Sequence, residues 1–352
     1  MRAFSHFLKE EREVQWTPHS VTVLTREELE SGFKRDLEDI ESIVPGLIVD
    51  RMNTTPRGAA IALRGLGSSG ASKAFDPAVA VNIDGVYVGT HTNRLQVLFD
   101  FEQIEVVRSP NTFEGNPNLS GSINIERTKP TGELDVDVRA SVGIDDRREM
   151  DAVINFPILD SLSGKVAVFW KDKGGEYMKN VYRARDENTE DYSLASVTLN
   201  WAFRDLFEAT YTYDSETSDE TTPAILNISA PTDQLCSTTT NTPFPNCRRG
   251  FQNPELDSLR LTAQNYSNER EYEGDHHTLK VTFDALGHDF VAITGYRDTE
   301  EVMDMDLDAS NSDFYHVQQD QTYEQFSQEL TMRGEWRENL DYAAGVYYLD
   351  TA

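Results

Sequence analysis

No apolar run in this 352-residue chain approaches the ~18 residues that a transmembrane helix needs, so a membrane could hold it only as a β-barrel. Positive charge is scarce. Lys and Arg number 32 against 61 Asp and Glu, for a formal net charge of −29 and a pI near 4.5. Nucleic-acid phosphates require Lys and Arg, so this balance argues against a nucleic-acid partner. The opening MRAFSHFLKEEREV lacks both the roughly 7–15-residue apolar stretch and the small-residue cleavage site of a secretory leader. The chain is then mature, short of its true start, or cytosolic. Cysteine is almost absent. Cys236 and Cys247 stand eleven apart in QLCSTTTNTPFPNC. They are two separate thiols or a local disulfide. An isolated pair in one polar loop favours the disulfide, and with it an oxidising compartment. No Ser/His/Asp or Cys/His constellation has supporting context, so no catalytic, metal or cofactor site is expected.

What the chain does have is alternation. In Leu134–Ile144, LDVDVRASVGI, every second residue from Leu134 is apolar and the residues between are polar or Gly143. That pattern predicts a strand with one apolar face. Its length fits a membrane β-barrel, whose strands run about 9–11 residues. The pattern recurs, predicting strands at 134–144, 149–156, 164–172, 191–203, 206–216, 276–285, 289–299, 321–333 and 340–351. In 289–299, Phe290 and Val291 start competing faces. The connections 157–163, 203–205, 286–288 and 334–339 are short, whereas 173–190, 217–275 and 300–320 are long, polar and acidic. Only 145–148 breaks that alternation. Long loops on one side and short turns on the other describe an outer-membrane barrel. Trp170, Trp201, Tyr213, Tyr296 and Tyr348 suit interfacial girdles. A soluble sandwich with one wet face per sheet is the competing architecture, and strand length and loop asymmetry weigh against it.

Residues 20–132 read as a small α+β domain. Thr25 and Glu28 form a capping box into the helix REELES. Asp36 caps a second helix with Leu37, Ile40 and Val44 on one face, ended by Pro45-Gly46. Asp84-Gly85 between VAVNI and VYVG predicts a type I′ hairpin. Gly65-Leu66-Gly67-Ser68-Ser69-Gly70 fits a dinucleotide fingerprint, but Pro77 forbids the helix that must follow. It reads as an outward loop. Asp304, Asp306 and Asp308 resemble the start of a calcium loop, but Ala309 and Tyr315 stand where Gly and Glu are needed. His276 and His277 are adjacent on a strand, point to opposite faces and read as surface residues. Glu102 and Glu105 read as lying at a helix-to-strand junction.

Several segments together resemble the TonB-dependent outer-membrane receptors. They include HSVTVLTREELES, LEDIESIVPGLIVD, ALRGLGSS, DPAVAVNIDGVYVG and DFEQIEVVRSPNTFEGNPNLSGSINIERTKPTGE, then NFPILDSLSGKVAVFW, TLNWAFRDLFEATYTY and LDYAAGVYYLD. The resemblance spans roughly residues 14–351. Arg108-Ser109-Pro110 replaces the family's R-G-P, and Ser120–Asn124 replaces G-G-A-I-N. The resemblance implies a mainly β protein in the cell outer membrane: an N-terminal segment (1–19), an α+β plug domain (20–132) and a partial antiparallel membrane β-barrel (133–352) of about nine strands, open at both edges. It implies a receptor for a scarce nutrient, a small-molecule or metal-chelate ligand, most commonly an iron–siderophore complex. Outer-membrane lipid and a TonB-type periplasmic energy-coupling protein are the implied partners. No chemistry is done on the ligand. Ser68, Ser69, Lys73, His91, Asn93 and Arg94 are the ligand-binding candidates at the plug apices. MRAFSHFL does not supply the coupling box. Barrels of this class have about 22 strands, and the roughly 220 residues after Gly132 allow about ten. The chain then reads as the front half of a receptor: a gene fragment, a truncated product or a split gene. A non-transporting surface binding protein or a non-functional remnant is the alternative.

Overall fold

A computed structural model describes residues 2–5, 10–13, 20–52, 57–68, 76–110, 119–174, 178–221, 225–226, 260–309, 313, 315–336 and 340–352. The N-terminal unit begins with β1 (Val21–Thr25). Thr25 then caps α1 (Arg26–Ser31): the Glu28 N–H donates to Thr25 Oγ1, and the Thr25 N–H donates to Glu28 Oε2 at 3.0 Å. This is the expected reciprocal box, and Thr25→Ala should cost about 1 kcal/mol in urea unfolding. Asp36 also makes its box with Asp39, but Leu37–Ser42 winds as a 3-10 helix rather than an α-helix. Six residues closed by Pro45 are short enough for that tighter winding, and a period of three keeps Leu37 and Ile40 together in the core.

Strands β2 (Leu47–Arg51), β3 (Ala59–Leu63) and β4 (Leu66–Gly67) form a three-stranded antiparallel sheet. The glycine-rich segment, read from sequence as a loop, therefore opens with a short strand at Leu66–Gly67, and residues 69–75 lie outside the described residues. Strands β5 (Val79–Ile83), β6 (Val86–Tyr87), β7 (Phe101–Val107) and β8 (Gly121–Arg127) join β1 in a five-stranded sheet ordered β1-β7-β8-β5-β6. Asp84 and Gly85 both have positive φ, 50° and 86°, as a type I′ turn demands. Leu29, Leu37, Ile61, Val81, Ile104 and Ile123 pack in one continuous apolar core. Glu105 is fully buried in the middle of β7 while Glu102 is exposed near its start, so neither lies at a helix junction.

Beside a small three-stranded sheet of Met178–Asn180, Arg185–Glu187 and Leu261–Thr262, the second unit is built on one large sheet. Among the described residues this large sheet has nine antiparallel strands in sequence order: β9 (Asp135–Val142), β10 (Arg148–Leu159), β11 (Leu162–Lys173), β12 (Glu190–Phe203), β13 (Phe207–Thr221), β14 (Glu269–Ala285), β15 (His288–Asp306), β16 (His316–Trp336) and β17 (Leu340–Thr351). All nine expected strands form. Among the described residues β9 and β17 each pair on one side only.

The faces are inverted relative to a soluble sheet. Val136, Val138, Ile154, Val168 and Val197 are exposed on one side, whereas Asp151, Lys165, Lys171, Glu216 and Thr212 are buried on the other. A hydrocarbon-facing exterior and a polar interior are the signature of a membrane barrel wall. Trp170, Trp201, Tyr296 and Tyr348 are among the exposed side chains. In β15 the ambiguity resolves by contact. Val291 and Ile293 turn inward onto Val86, while Phe290 turns outward and stacks on Phe283, with ring centroids 4.9 Å apart. Strands β14–β16 run well past the expected ends, to 17, 19 and 21 residues. Beyond the hydrocarbon the outer face meets water, so apolar alternation fades while the hydrogen-bond ladder continues.

Candidate functional site

The N-terminal unit lies against the concave, polar face of the sheet, and the contact is built from charges. Apart from the brief 143–147 connection, which lies at the long-loop rim, the short connections lie at one rim of the sheet and the long ones at the other. Near the short-turn rim, Lys129 Nζ reaches Glu208 at 2.7 Å. Lys165 of β11 meets Asp100 at 2.6 Å, both side chains being 1% exposed, and Lys165 also donates to the Thr128 carbonyl. Farther along, Arg127 bridges the two units. Its Nε donates to Asp84 Oδ2 at 2.6 Å and its Nη1 to Asp214 of β13 at 2.5 Å. The Arg127 N–H adds a bond to Asp84 Oδ1 at 2.9 Å.

Midway, the segment after β6 runs along the wall. Gln325 of β16 donates to the Tyr87 carbonyl at 2.7 Å and accepts from the Gly89 N–H at 3.1 Å. Thr92 donates to Glu301 at 2.8 Å, and Asn93 Nδ2 donates to Glu216 at 2.5 Å and to the Tyr272 hydroxyl at 3.2 Å. At the long-loop rim, Glu190 lies between Lys171 (2.6 Å) and Arg51 (2.7 Å), and Arg51 also holds Glu38 at 2.7 Å. Arg270 pairs with Glu220 at 2.8 Å and donates to the Met52 carbonyl at 3.2 Å. Along β9, Arg26 binds Asp137 at 2.7 Å and Arg139 binds Glu30 at 2.6 Å.

Two physical consequences follow. Buried charges must be paired, because an isolated one costs several kcal/mol. Yet a paired charge gains little net stability over its hydrated state, so a polar interface of this kind can part at modest cost once water enters. Burial works against charge on Asp84, but Arg127 more than compensates and holds its carboxyl below the usual range. A depressed folded pKa stabilises above the unfolded value of about 3.9, and the contribution disappears as pH falls through the folded value. Asp84→Asn should therefore lower stability at neutral pH and flatten the acid limb of an unfolding curve measured against pH.

The six candidates fare unequally. Ser68 is half-buried, with its Oγ 3.4 Å from His91 Nε2. Ser69 and Lys73 lie outside the described residues, as do Cys236 and Cys247. His91, Asn93 and Arg94 are 2%, 3% and 0% exposed, so they do not stand at an outward apex. The tight run after β6 tucks them between the N-terminal unit and the wall: Asn93 faces Glu216, while Arg94 turns inward to the Val79 carbonyl. Burial pulls the Arg94 guanidinium down to about 10, and burial with the Arg94 charge lowers His91. His276 is also buried, 3.3 Å from the Tyr272 hydroxyl and 3.8 Å from Glu216, contrary to its reading as a surface residue. It lies on the inward phase of β14, whereas His277 points outward and meets the Tyr211 hydroxyl at 2.8 Å. Asp306 accepts backbone N–H groups from Asn265, Asp308 and Ala309, so this carboxylate staples loop backbone.

Residues 13–122 match the family model described as TonB-dependent Receptor Plug Domain. These residues are a TonB-dependent receptor plug. The iron-regulated outer membrane virulence protein of Vibrio cholerae is 30% identical over 201 residues, 53% of this chain and 28% of that protein. The ferric-pyoverdine BN7/BN8 receptor of Pseudomonas putida is 25% identical over 203 residues, 54% of this chain and 24% of that protein. In fold, the ferric yersiniabactin uptake receptor of Yersinia pestis matches with a TM-score of 0.78 at 22% identity, covering 97% of this chain and 49% of that one. The siderophore receptor PiuA of Acinetobacter baumannii matches with a TM-score of 0.73 at 16% identity, covering 99% and 47%. The chain thus spans about half the length of these solved receptors. The concave sheet has the fold of part of these receptors' barrel wall, and the plug sits against its inner face.

The wall residues that hold the plug, among them Lys165, Lys171, Glu190, Asp214 and Glu216, were not singled out from sequence. Their signal is phase: each occupies an inward position of its strand, opposite the apolar stripe. Glycine marks another contact. A Cβ on Gly295 would overlap the Val86 side chain and lie 2.8 Å from Ser327 Oγ. Gly295→Val should weaken plug docking by about 1–3 kcal/mol. Limited proteolysis should detect the loosened plug, with Val86→Ala restoring protection.

Proposed function

We propose that this chain forms the plug and adjoining wall of an outer-membrane receptor that takes up an iron–siderophore complex or a similar metal chelate. On this reading the plug covers residues 20–132 and the wall residues 133–352, with 1–19 leading in. The ligand is captured at the long-loop rim and no bond in it is made or broken. A TonB-type periplasmic protein supplies the work that displaces the plug. The observation that carries the proposal is the seating of the plug on a polar wall through paired charges such as Arg127 with Asp84 and Asp214. The names of the relatives support the ligand class.

Ser68, Ser69 and Lys73 belong to the plug loop proposed to meet the ligand, while His91, Asn93 and Arg94 are proposed to set that loop's position from behind. Cys236 and Cys247 are proposed to close a loop disulfide. Mass spectrometry of periplasm-exported protein should then show a loss of about 2 Da on oxidation, as one S–S bond replaces two thiols. Two alkylatable thiols would contradict the pairing.

The functional test is uptake. Cells lacking their own receptors and carrying the gene that encodes this chain should accumulate radiolabelled iron from at least one of a panel of ferric siderophores. A protonophore should abolish it. Absence of energy-dependent accumulation across the panel would overturn the transport reading.

A further inference from the structure

We propose that a cavity between plug and wall at the long-loop rim is a subsite for a carboxylate or comparably compact anionic group. The proposal rests on the receptor reading for the ligand that carries this group, and on the cavity itself for the chemistry. The cavity measures about 210 Å³ and is lined by Arg51 and Arg57 of the plug and by Lys173, Glu190, Glu220 and Arg270 of the wall. It is smaller than the roughly 300–1,000 Å³ sites that enclose whole small molecules, so it suits one arm of a larger ligand.

Charge points to the sign of that arm. The lining carries four cations and two carboxylates, a local positive surplus in a chain whose formal charge is −29. Both carboxylates are already engaged, Glu190 by Lys171 and Arg51 and Glu220 by Arg270. Arg57 carries the case further. It is 4% exposed, and its φ of 46° is a conformation that a bulky residue adopts only where surrounding contacts impose it. Its guanidinium lies 3.8 Å from the Tyr192 ring centroid, and Nη2 donates to the Leu95 carbonyl at 2.5 Å. Among the described residues its Nε–H has no hydrogen-bond partner. Burial opposes the charge, but Tyr192, Asp36, Glu220 and Glu190 more than offset it, so the group remains a cation. A buried donor on a fixed, stacked guanidinium is a preorganised receptor for a planar carboxylate. Lys173 adds a second cation from the wall side, so an anion here would touch plug and wall together.

Malonate is a suitable probe, with malonamide as its neutral counterpart. Equilibrium dialysis of radiolabelled malonate would use the full chain extracted from outer membranes, at low ionic strength, in material whose plug resists trypsin. We expect saturable binding that added salt weakens and malonamide does not displace. Lys173→Glu, a half-buried position tolerant of change, should lower affinity about tenfold or more, and Arg57→Gln should abolish binding. Iron uptake is a separate readout: its failure with malonate binding intact overturns transport and leaves the subsite standing. Absence of saturable malonate binding, equal binding by Lys173→Glu, or equal displacement by malonamide would overturn the subsite.

Discussion

Lys165→Met should loosen the plug from its wall by about 3–5 kcal/mol, the cost of leaving a buried carboxylate without its cation. Asp100 and Lys165 are almost wholly excluded from water, and Thr128 bonds to both. Removing the ammonium therefore strands Asp100 in a buried place where, among the described residues, no second ion pair holds it. The expected readout is a lower denaturant midpoint for plug release, followed by proteolysis of the chain in detergent. Lys165→Met combined with Asp100→Leu should recover most of the loss, because an apolar pair of similar volume often replaces a buried ion pair at little cost. A single variant as stable as the parent would mean that this pair is hydrated and the plug less tightly seated.

Arg127→Leu should have a comparable effect, about 3–5 kcal/mol, for a different geometric reason. One guanidinium neutralises Asp84 in the plug turn and Asp214 in the wall, so its loss exposes two carboxylates to each other's field. The damage should be strongest near neutral pH and shrink in acid as Asp84 protonates. Arg127→Lys should rescue only part of it, because an ammonium cannot present the planar fork that meets both partners. Unfolding midpoints of the three proteins across pH would measure this. Equal acid sensitivity in all three would remove Arg127 from its bridging role.

The wall was legible where lipid dictates chemistry. Val136, Val138 and Val142 mark an outward stripe because every outward residue there must be apolar, and all nine strands followed from that rule. Legibility ended where water replaces lipid. In Glu269–Asp275 both faces are largely polar, so the extension of β14 carried no alternation to read. The plug elements were legible through local chemistry, in the Thr25–Glu28 box and the Asp84-Gly85 turn.

The interface was not legible, because its residues are polar on a strand whose polar face ordinarily meets water. Lys171 in WKDK and His276 in DHHT look like surface residues until a second unit covers them. His91, Asn93 and Arg94 illustrate the converse. A Thr/His/Asn-rich run between strands suggests an exposed loop, yet here it threads between plug and wall, with Asn93 bonded to Glu216, Thr92 to Glu301 and Arg94 to the plug backbone.

The central claim is that the sheet turns its apolar face to lipid and its polar face to the plug. Spin labels on single cysteines, in a chain with Cys236 and Cys247 changed to Ser, test it most directly. Labels at Val138, Ile154, Val168 and Val197 should collide with dissolved oxygen far more than with a water-soluble nickel chelate in outer-membrane vesicles. A label at Ala167, which is fully buried on the opposite face, should be immobilised and shielded from both. Nickel access at the four valine and isoleucine positions, with a mobile label at Ala167, would contradict the account.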